Sequence, residues 1–473
     1  MNLEQVKKTI STHWSDYILD TLKEYIKIPN LSPQFDPDWE ENGHMHKAAA
    51  LFADSARTFE IEELSLRIVE LPSRTPLLFL DVPAANGGEG NVLLYGHFDK
   101  QPEFDGWHPG KGPWIPVVEH GRLFGRGGGD DGYAMFSCLS AIAAMQREGN
   151  ALPRCVILIE GSEESGSPDL PHYIELLADE IGKPDLVICL DAECGNYDQL
   201  WLTTSLRGML SGTLTVDVLT EGVHSGGAGG IVPSSFRLLR SLYDRIEQNE
   251  TGRLHERLYT EIPSWARTQS SEVAETLGST IIERYPWAKD AEPVDEPLDE
   301  LLIANTWHPS LATVGIGGAP LPDVAGNTLR PQTSTKMVFR LPPNADASQA
   351  AKFVQRELER DPPIGAAVRF ECDAAESGWY SKPVASWLHE SLDRASRTFF
   401  GQPYRRMGTG GTIPFMKMLG DRFPQCEFMV TGVLGPHSNA HGPNEFLDLK
   451  TAERVTCCVA SVLNDAATRR LES

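Results

Sequence analysis

The sequence predicts an α/β fold: a discontinuous domain with a mixed sheet flanked by helices, interrupted by an inserted α+β domain. Three observations lead there. Short apolar runs at 91–96, 154–160 and 185–190 alternate with helical patterns, as strands covered on both faces do. The pattern changes at Arg207-Gly208 and returns to its first character after about residue 380. The length, 473 residues, also exceeds the usual single-domain range. The expected division is 1–207 and 381–473 for the discontinuous domain, with 208–380 inserted.

An amphipathic helical pattern opens the chain, followed by β-rich runs at 66–71, 76–82 and 91–96. A helix of small residues is expected at 131–146, a strand at 154–160, a helix from about Pro168 and a strand at 185–190. In the insertion, 209–219 alternates as a half-exposed strand and 233–248 as an amphipathic helix. A long polar stretch, 249–305, matches no motif. Strands at 311–316, 333–341 and 366–372 surround a helix at 347–359. A helix at 383–399, a Gly-rich loop, a strand at 427–431 and a helix at 449–467 complete the chain, which has no internal repeat or low-complexity tract.

The bulk charge excludes some functions. With 42 Lys+Arg against 66 Asp+Glu, the formal net charge is −24, which repels nucleic-acid backbones and anionic membranes, and no basic patch offsets it. The N-terminal helix carries charges throughout and lacks the apolar core of a signal peptide, and no run approaches a membrane span. Eight scattered cysteines include no C-x-x-C pair, so free buried thiols are expected. These readings together point to the cytoplasm.

Five polar clusters carry the chemistry, most of them just after an expected strand, where α/β sheets place ligands. In Tyr95-Gly96-His97-Phe98-Asp99, an extended backbone puts His97 and Asp99 on one side, so Asp99 can orient a metal-bound imidazole. Gly125-Arg126-Gly127-Gly128-Gly129-Asp130-Asp131-Gly132 surrounds two acids with glycines. It lacks the Lys-Ser/Thr of a phosphate loop, and its carboxylates would repel phosphate. In Glu160-Gly161-Ser162-Glu163-Glu164-Ser165-Gly166-Ser167, one of two adjacent acids can bind metal while the other takes a proton from water. Asp191 ends an apolar strand, where a carboxylate is costly unless paired or metal-bound. Near the C-terminus, Gly435-Pro436-His437-Ser438-Asn439-Ala440-His441-Gly442-Pro443-Asn444-Glu445 supplies further histidines. Two histidines and three carboxylates suit a dinuclear site with a bridging acid, and mixed N/O ligands favour Zn²⁺, with Mn²⁺ or Co²⁺ as alternatives.

Over nearly its whole length the chain resembles the M20 family of metallopeptidases, in the dipeptidase branch related to carnosine dipeptidases. The motifs that carry the resemblance are GHFDxxP at 96–102, GRGxxDD at 125–131, EGxEESGS at 160–167 and HxPNE at 441–445. The resemblance implies two divalent ions per subunit. His97 and Asp191 would hold one, Glu164 and His441 the other, and Asp130 would bridge them. His437 competes with His441, but His441 stands at the motif's distance from Asn444-Glu445. Glu163 would be the general base and Asp99 the acid behind His97, with a cis peptide at Asp130–Asp131.

In the insertion, which the resemblance makes a lid and dimerisation domain, His224 would polarise the scissile carbonyl. Asn327 and Arg340 would contact substrate, Arg340 by a bidentate pair to a terminal carboxylate. Asn327 replaces a Thr expected in related animal enzymes. Thr412, in Gly410-Gly411-Thr412-Ile413-Pro414, stands at the Ser of a GGSIP motif and would also face substrate. The implied activity is hydrolysis of dipeptides or short peptides with a free C-terminal carboxylate, in a homodimer whose His224 serves the partner's site. A deacylase of N-acyl amino acids, a carboxypeptidase and a non-catalytic metal-binding relative remain alternatives at this point.

Overall fold

The structure is a computed structural model that describes residues 2–469. Its central sheet has six strands: β1 (Ser65–Val69), β2 (Leu77–Val82), β3 (Asn91–His97), β4 (Arg154–Glu160), β5 (Leu186–Cys189) and β6 (Glu427–Val430). Their spatial order is β1-β2-β4-β3-β5-β6. β3 runs parallel to β4 and β5, β6 runs parallel to β5, and β1 and β2 are antiparallel, so the sheet is mixed.

The near-continuous apolar strands have a direct cause. Successive side chains point to opposite faces, and both faces are covered. Val92 and Leu94 of β3 enter one core with the Ala134–Arg147 and Leu449–Thr468 helices, whereas Leu93 and Tyr95 enter a second core with the Leu170–Leu176 and Pro414–Arg422 helices. Small residues let the first helix pack on all sides, and every position from Ala134 to Met145 is buried. It begins at Ala134 rather than at 131, because Asp130 and Asp131 take non-helical angles, φ −122° and −125°.

Residues 208–217 open a four-stranded antiparallel sheet ordered Ser310–Gly317, Gln332–Leu341, Gly208–Asp217, Ala367–Glu376. Gln332–Leu341 alternates strictly between buried and half-buried, with its buried face under the Ser235–Tyr243 and Ala347–Glu359 helices. Gly208–Asp217 is more buried than its alternation suggested, because it is an interior strand of this sheet.

The polar stretch 249–305 differs from its expectation. It contains helices Ser264–Leu277 and Leu298–Thr306. The inner positions of the first are Ala266, Gln269, Ser270 and Val273, too small and polar to leave an apolar stripe in the sequence. Val273 packs against Trp201 and Met407, so this segment rests on strands Trp201–Leu206 and Arg405–Thr409. Among the described residues no helix is long and apolar enough to cross a membrane. All eight cysteines are free, and seven of them are buried.

Candidate metal centre

Parallel strands end along one edge of a sheet, and here those ends carry the acids and the first histidine. β3 ends at His97, which pairs in register with Glu160 at the end of β4, and Asp191 follows β5 by two residues. Gly96 makes a close approach possible. A Cβ there would lie 2.8 Å from Asp131 Oδ2, the oxygen that accepts the His97 backbone N–H at 3.3 Å. The Asp130–Asp131 bond is cis, as the resemblance implied.

The side chains gather into two triads that share Asp130: His97, Asp130 and Asp191, and Asp130, Glu164 and His441. His97 Nε2 lies 3.2 Å from Asp130 Oδ1 and 3.9 Å from Asp191 Oδ2. His441 Nε2 lies 3.0 Å from Asp130 Oδ2 and 3.3 Å from Glu164 Oε2. Glu163 belongs to neither triad, yet its Oε2 is 4.0 Å from His97 Nε2. His437, the competing histidine, is exposed and joins neither triad.

These groups fit divalent cations, and their proton affinities give the reason. Burial, then the Asp130 charge, pushes Glu164 up to about 8. Burial, opposed in part by His97, pushes Asp191 up to about 6. Glu163 is raised by burial and then by Asp191. Burial disfavours a charged His441, but Glu164 and Asp130 outweigh it and raise the ring to about 10. So many acids in one pocket retain protons that cations of charge +2 would replace. The donor set, imidazole nitrogens and carboxylate oxygens, suits Zn²⁺ or a similar ion.

Asp99 does more than face His97, whose Nδ1 lies 3.3 Å from its Oδ1. Its carboxylate also accepts the backbone N–H groups of Glu163 at 3.1 Å and Glu164 at 3.0 Å. One buried acid therefore orients the ring and anchors the turn that carries both glutamates. Glu160 braces the same turn by accepting from Ser167 at 2.8 Å and from the Tyr95 hydroxyl at 2.5 Å. Gln101 donates to Glu164 Oε2 at 2.7 Å.

A second brace was quoted only as motif letters in the sequence. Arg126 and Glu445, both fully buried, form an ion pair at 2.5 Å. Arg126 also donates to Gly442 O, and Glu445 accepts the Gly127 N–H, which ties the His441 loop to the Gly-rich loop. An arginine inside a glycine run, facing a distant Pro-Asn-Glu, was the available signal.

The residues expected to contact substrate fall into two groups. Arg340 donates to Thr412 Oγ1 at 2.8 Å, and Thr412 donates to Arg207 O at 2.6 Å. Arg207, read from the sequence only as a boundary, lines the same cavity as Arg340. His224 and Asn327 form the other group. His224 pairs with Thr328, Ser225 N–H donates to Asn327 O, and both His224 and Asn327 are exposed. His224 Nδ1 accepts the N–H groups of Gly226 and Gly227, and the ring contributes to neither triad.

Comparison with known proteins places this geometry in a family. The profile of peptidase family M20/M25/M40 matches residues 93–465. A cysteinylglycine-S-conjugate dipeptidase of Corynebacterium striatum is 26% identical over 92% of this chain and 93% of its own. A human Beta-Ala-His dipeptidase is 25% identical over 88% of this chain and 83% of its own. Among solved structures, human carnosine dipeptidase 1 aligns with a TM-score of 0.78 at 22% identity, over 99% of this chain and 100% of that one. The Saccharomyces cerevisiae dipeptidase Dug1p aligns at 0.79 and 21%, over 99% of each chain. From its matched span and its clustered histidines and carboxylates, the chain is a metallopeptidase that belongs to peptidase family M20/M25/M40.

Proposed function

We propose that the protein is a dinuclear metal-dependent dipeptidase that hydrolyses dipeptides or short peptides with a free C-terminal carboxylate. The observation that carries the reading is the pair of triads sharing Asp130, with Glu163 beside them and outside both. His97, Asp130 and Asp191 would hold one ion, and Asp130, Glu164 and His441 the other. Zn²⁺ is the favoured metal, with Mn²⁺ or Co²⁺ as alternatives. Two such ions, when bound, acidify water and polarise a carbonyl.

The chain's own residues supply the rest. Glu163 takes the proton from the attacking water and returns it to the leaving amine. Asp99 keeps His97 and the Glu163–Ser165 turn in place. Arg340 and Thr412 receive the terminal carboxylate, and a peptide's free carboxylate suits a half-buried guanidinium. His224, from a second copy, donates to the developing oxyanion, with Asn327 beside it. The homodimer reading is supported by the exposed His224 and by the exposed Val314 and Ile316 on the edge strand Ser310–Gly317, with Leu321 and Val324 close in sequence. The free buried cysteines suit the cytoplasm, and the net charge suits a small-molecule substrate rather than nucleic acid or membrane.

The test is a panel of dipeptides, their C-terminal amides, and N-acetyl and N-succinyl amino acids, run on chelated protein resupplied with Zn²⁺, Mn²⁺ or Co²⁺. Free dipeptides should turn over only with metal, and the amides more slowly by at least about tenfold. Full activity in protein shown metal-free by elemental analysis would sink the mechanism. A preference for N-acyl amino acids would make it a deacylase.

A further inference from the structure

A cavity of about 590 Å³ adjoins Arg340, in the size range of small-molecule sites. Its lining includes Arg207, the Gly410-Gly411 turn, Glu193 and Pro436. Glu193 lies two residues beyond Asp191 and Pro436 five before His441, so loops bearing metal-centre residues reach this cavity. The rest is mostly apolar and comes largely from the segment 264–307. Ala266, Val273 and Trp307 are buried there, whereas Tyr285, Trp287 and Val294 remain 49%, 45% and 71% exposed. Large apolar side chains left open to water around one cavity gain by being covered with an apolar ligand.

Three guanidiniums line the cavity, and Arg284 pairs with Glu193 at 3.7 Å. Arg207 donates from Nε to Gly410 O and from Nη1 to His308 O and Ser310 Oγ. Arg340 is bonded to Thr412 alone among the described residues, and neither Arg207 nor Arg340 makes an ion pair there. A carboxylate at Arg340 leaves its own Cα one bond away, so the side chain on that carbon starts beside the cavity. An apolar side chain on that carbon meets the wall formed by Tyr285, Trp287 and Val294.

We propose that this cavity receives the side chain of the residue that carries the substrate's free carboxylate, and that it selects a large apolar or aromatic side chain. The proposal rests on the reading of Arg340 as the carboxylate's anchor, and it names the substrate class for that reading. Segment 264–307, most of which lies in the stretch 249–305 that matched no motif, is then the specificity wall.

Two measurements test it. In the first, kcat/KM is compared for Gly-Gly, Gly-Asp, Gly-Leu and Gly-Phe with added divalent metal, in the wild type and in Trp287→Ala and Val294→Asp. Both substitutions lie at exposed positions. Gly-Phe should exceed Gly-Gly and Gly-Asp by at least about tenfold, and both variants should lower Gly-Phe by more than they lower Gly-Gly. In the second, calorimetry in chelator compares N-acetyl-phenylalanine with N-acetylglycine, and only the former should bind measurably. Equal turnover of Gly-Gly and Gly-Phe, equal losses on both in the variants, or equal binding of the two N-acetyl compounds would overturn the assignment. Selective binding of N-acetyl-phenylalanine by a protein that hydrolyses no dipeptide would support the cavity and overturn the proposed activity instead.

Discussion

Glu163 and Glu164 are adjacent and chemically identical, and their surroundings divide them. Glu164 meets His441 at 3.3 Å and Gln101 at 2.7 Å, whereas Glu163 has no ligand-forming triad and stands 4.0 Å from His97. The division predicts opposite failures. Glu163→Gln should keep near-normal metal content and lose at least about 10²-fold in kcat, the scale of a general base. Glu164→Gln should lose metal as well as rate. Elemental analysis beside kinetics decides, and metal loss in Glu163→Gln with retention in Glu164→Gln would reverse the two roles. At this scale the sequence was legible wherever a reactive residue sat in a glycine-rich or strand-end motif, as His97, Asp130, Asp191 and His441 did. It was silent on Asp99 holding the Glu163–Ser165 turn, because that bond joins two strand ends across 64 residues and leaves no local spacing.

At the scale of elements, strands were legible because β3, β4 and β5 are covered on both faces, so each reads as an unbroken apolar run. The Ser264–Leu277 helix was not, since Gln269 and Ser270 take inner positions that a hydrophobic pattern reads as outer. Loop-to-loop bracing left only a faint signal, as the Arg126–Glu445 pair shows with its arginine in a glycine run. Both side chains are out of water, so removing one charge strands the other. Glu445→Gln should cost about 3–5 kcal/mol in denaturant unfolding, the range for breaking a buried pair. Because Glu445 also holds the Gly127 N–H, the His441 loop should loosen and metal should be lost at lower chelator concentration. A variant with wild-type unfolding and wild-type metal retention would remove this pair from the account of the site.

At the scale of the molecule, the proposed mechanism calls for a donor to the substrate's carbonyl. His224 is the candidate, and its placement constrains how it arrives. The ring is exposed, its Nδ1 is occupied by the Gly226 and Gly227 N–H groups, and it contributes to neither triad. With Nδ1 accepting, Nε2 carries the ring proton and is left to donate. Either the insertion closes on its own metals or a second copy presents its His224 through a two-fold interface, which makes the exchange reciprocal. The exposed apolar residues of the Ser310–Gly317 edge favour the second route, since a lone copy leaves them in water. Mixing two inactive variants separates the routes. His224→Ala and Glu163→Gln are combined under conditions that exchange subunits, and heterodimers are counted by mass. In the shared arrangement, the His224→Ala subunit keeps its own Glu163 and borrows an intact His224, so each heterodimer has one working site. Random pairing makes about half the dimers mixed, so activity should recover to about a quarter of wild type. If each insertion serves its own metals, every site keeps one defect and the mixture stays inactive. Inactivity in heterodimers of proven composition would therefore exclude the shared site and require the insertion to close by a hinge within one chain.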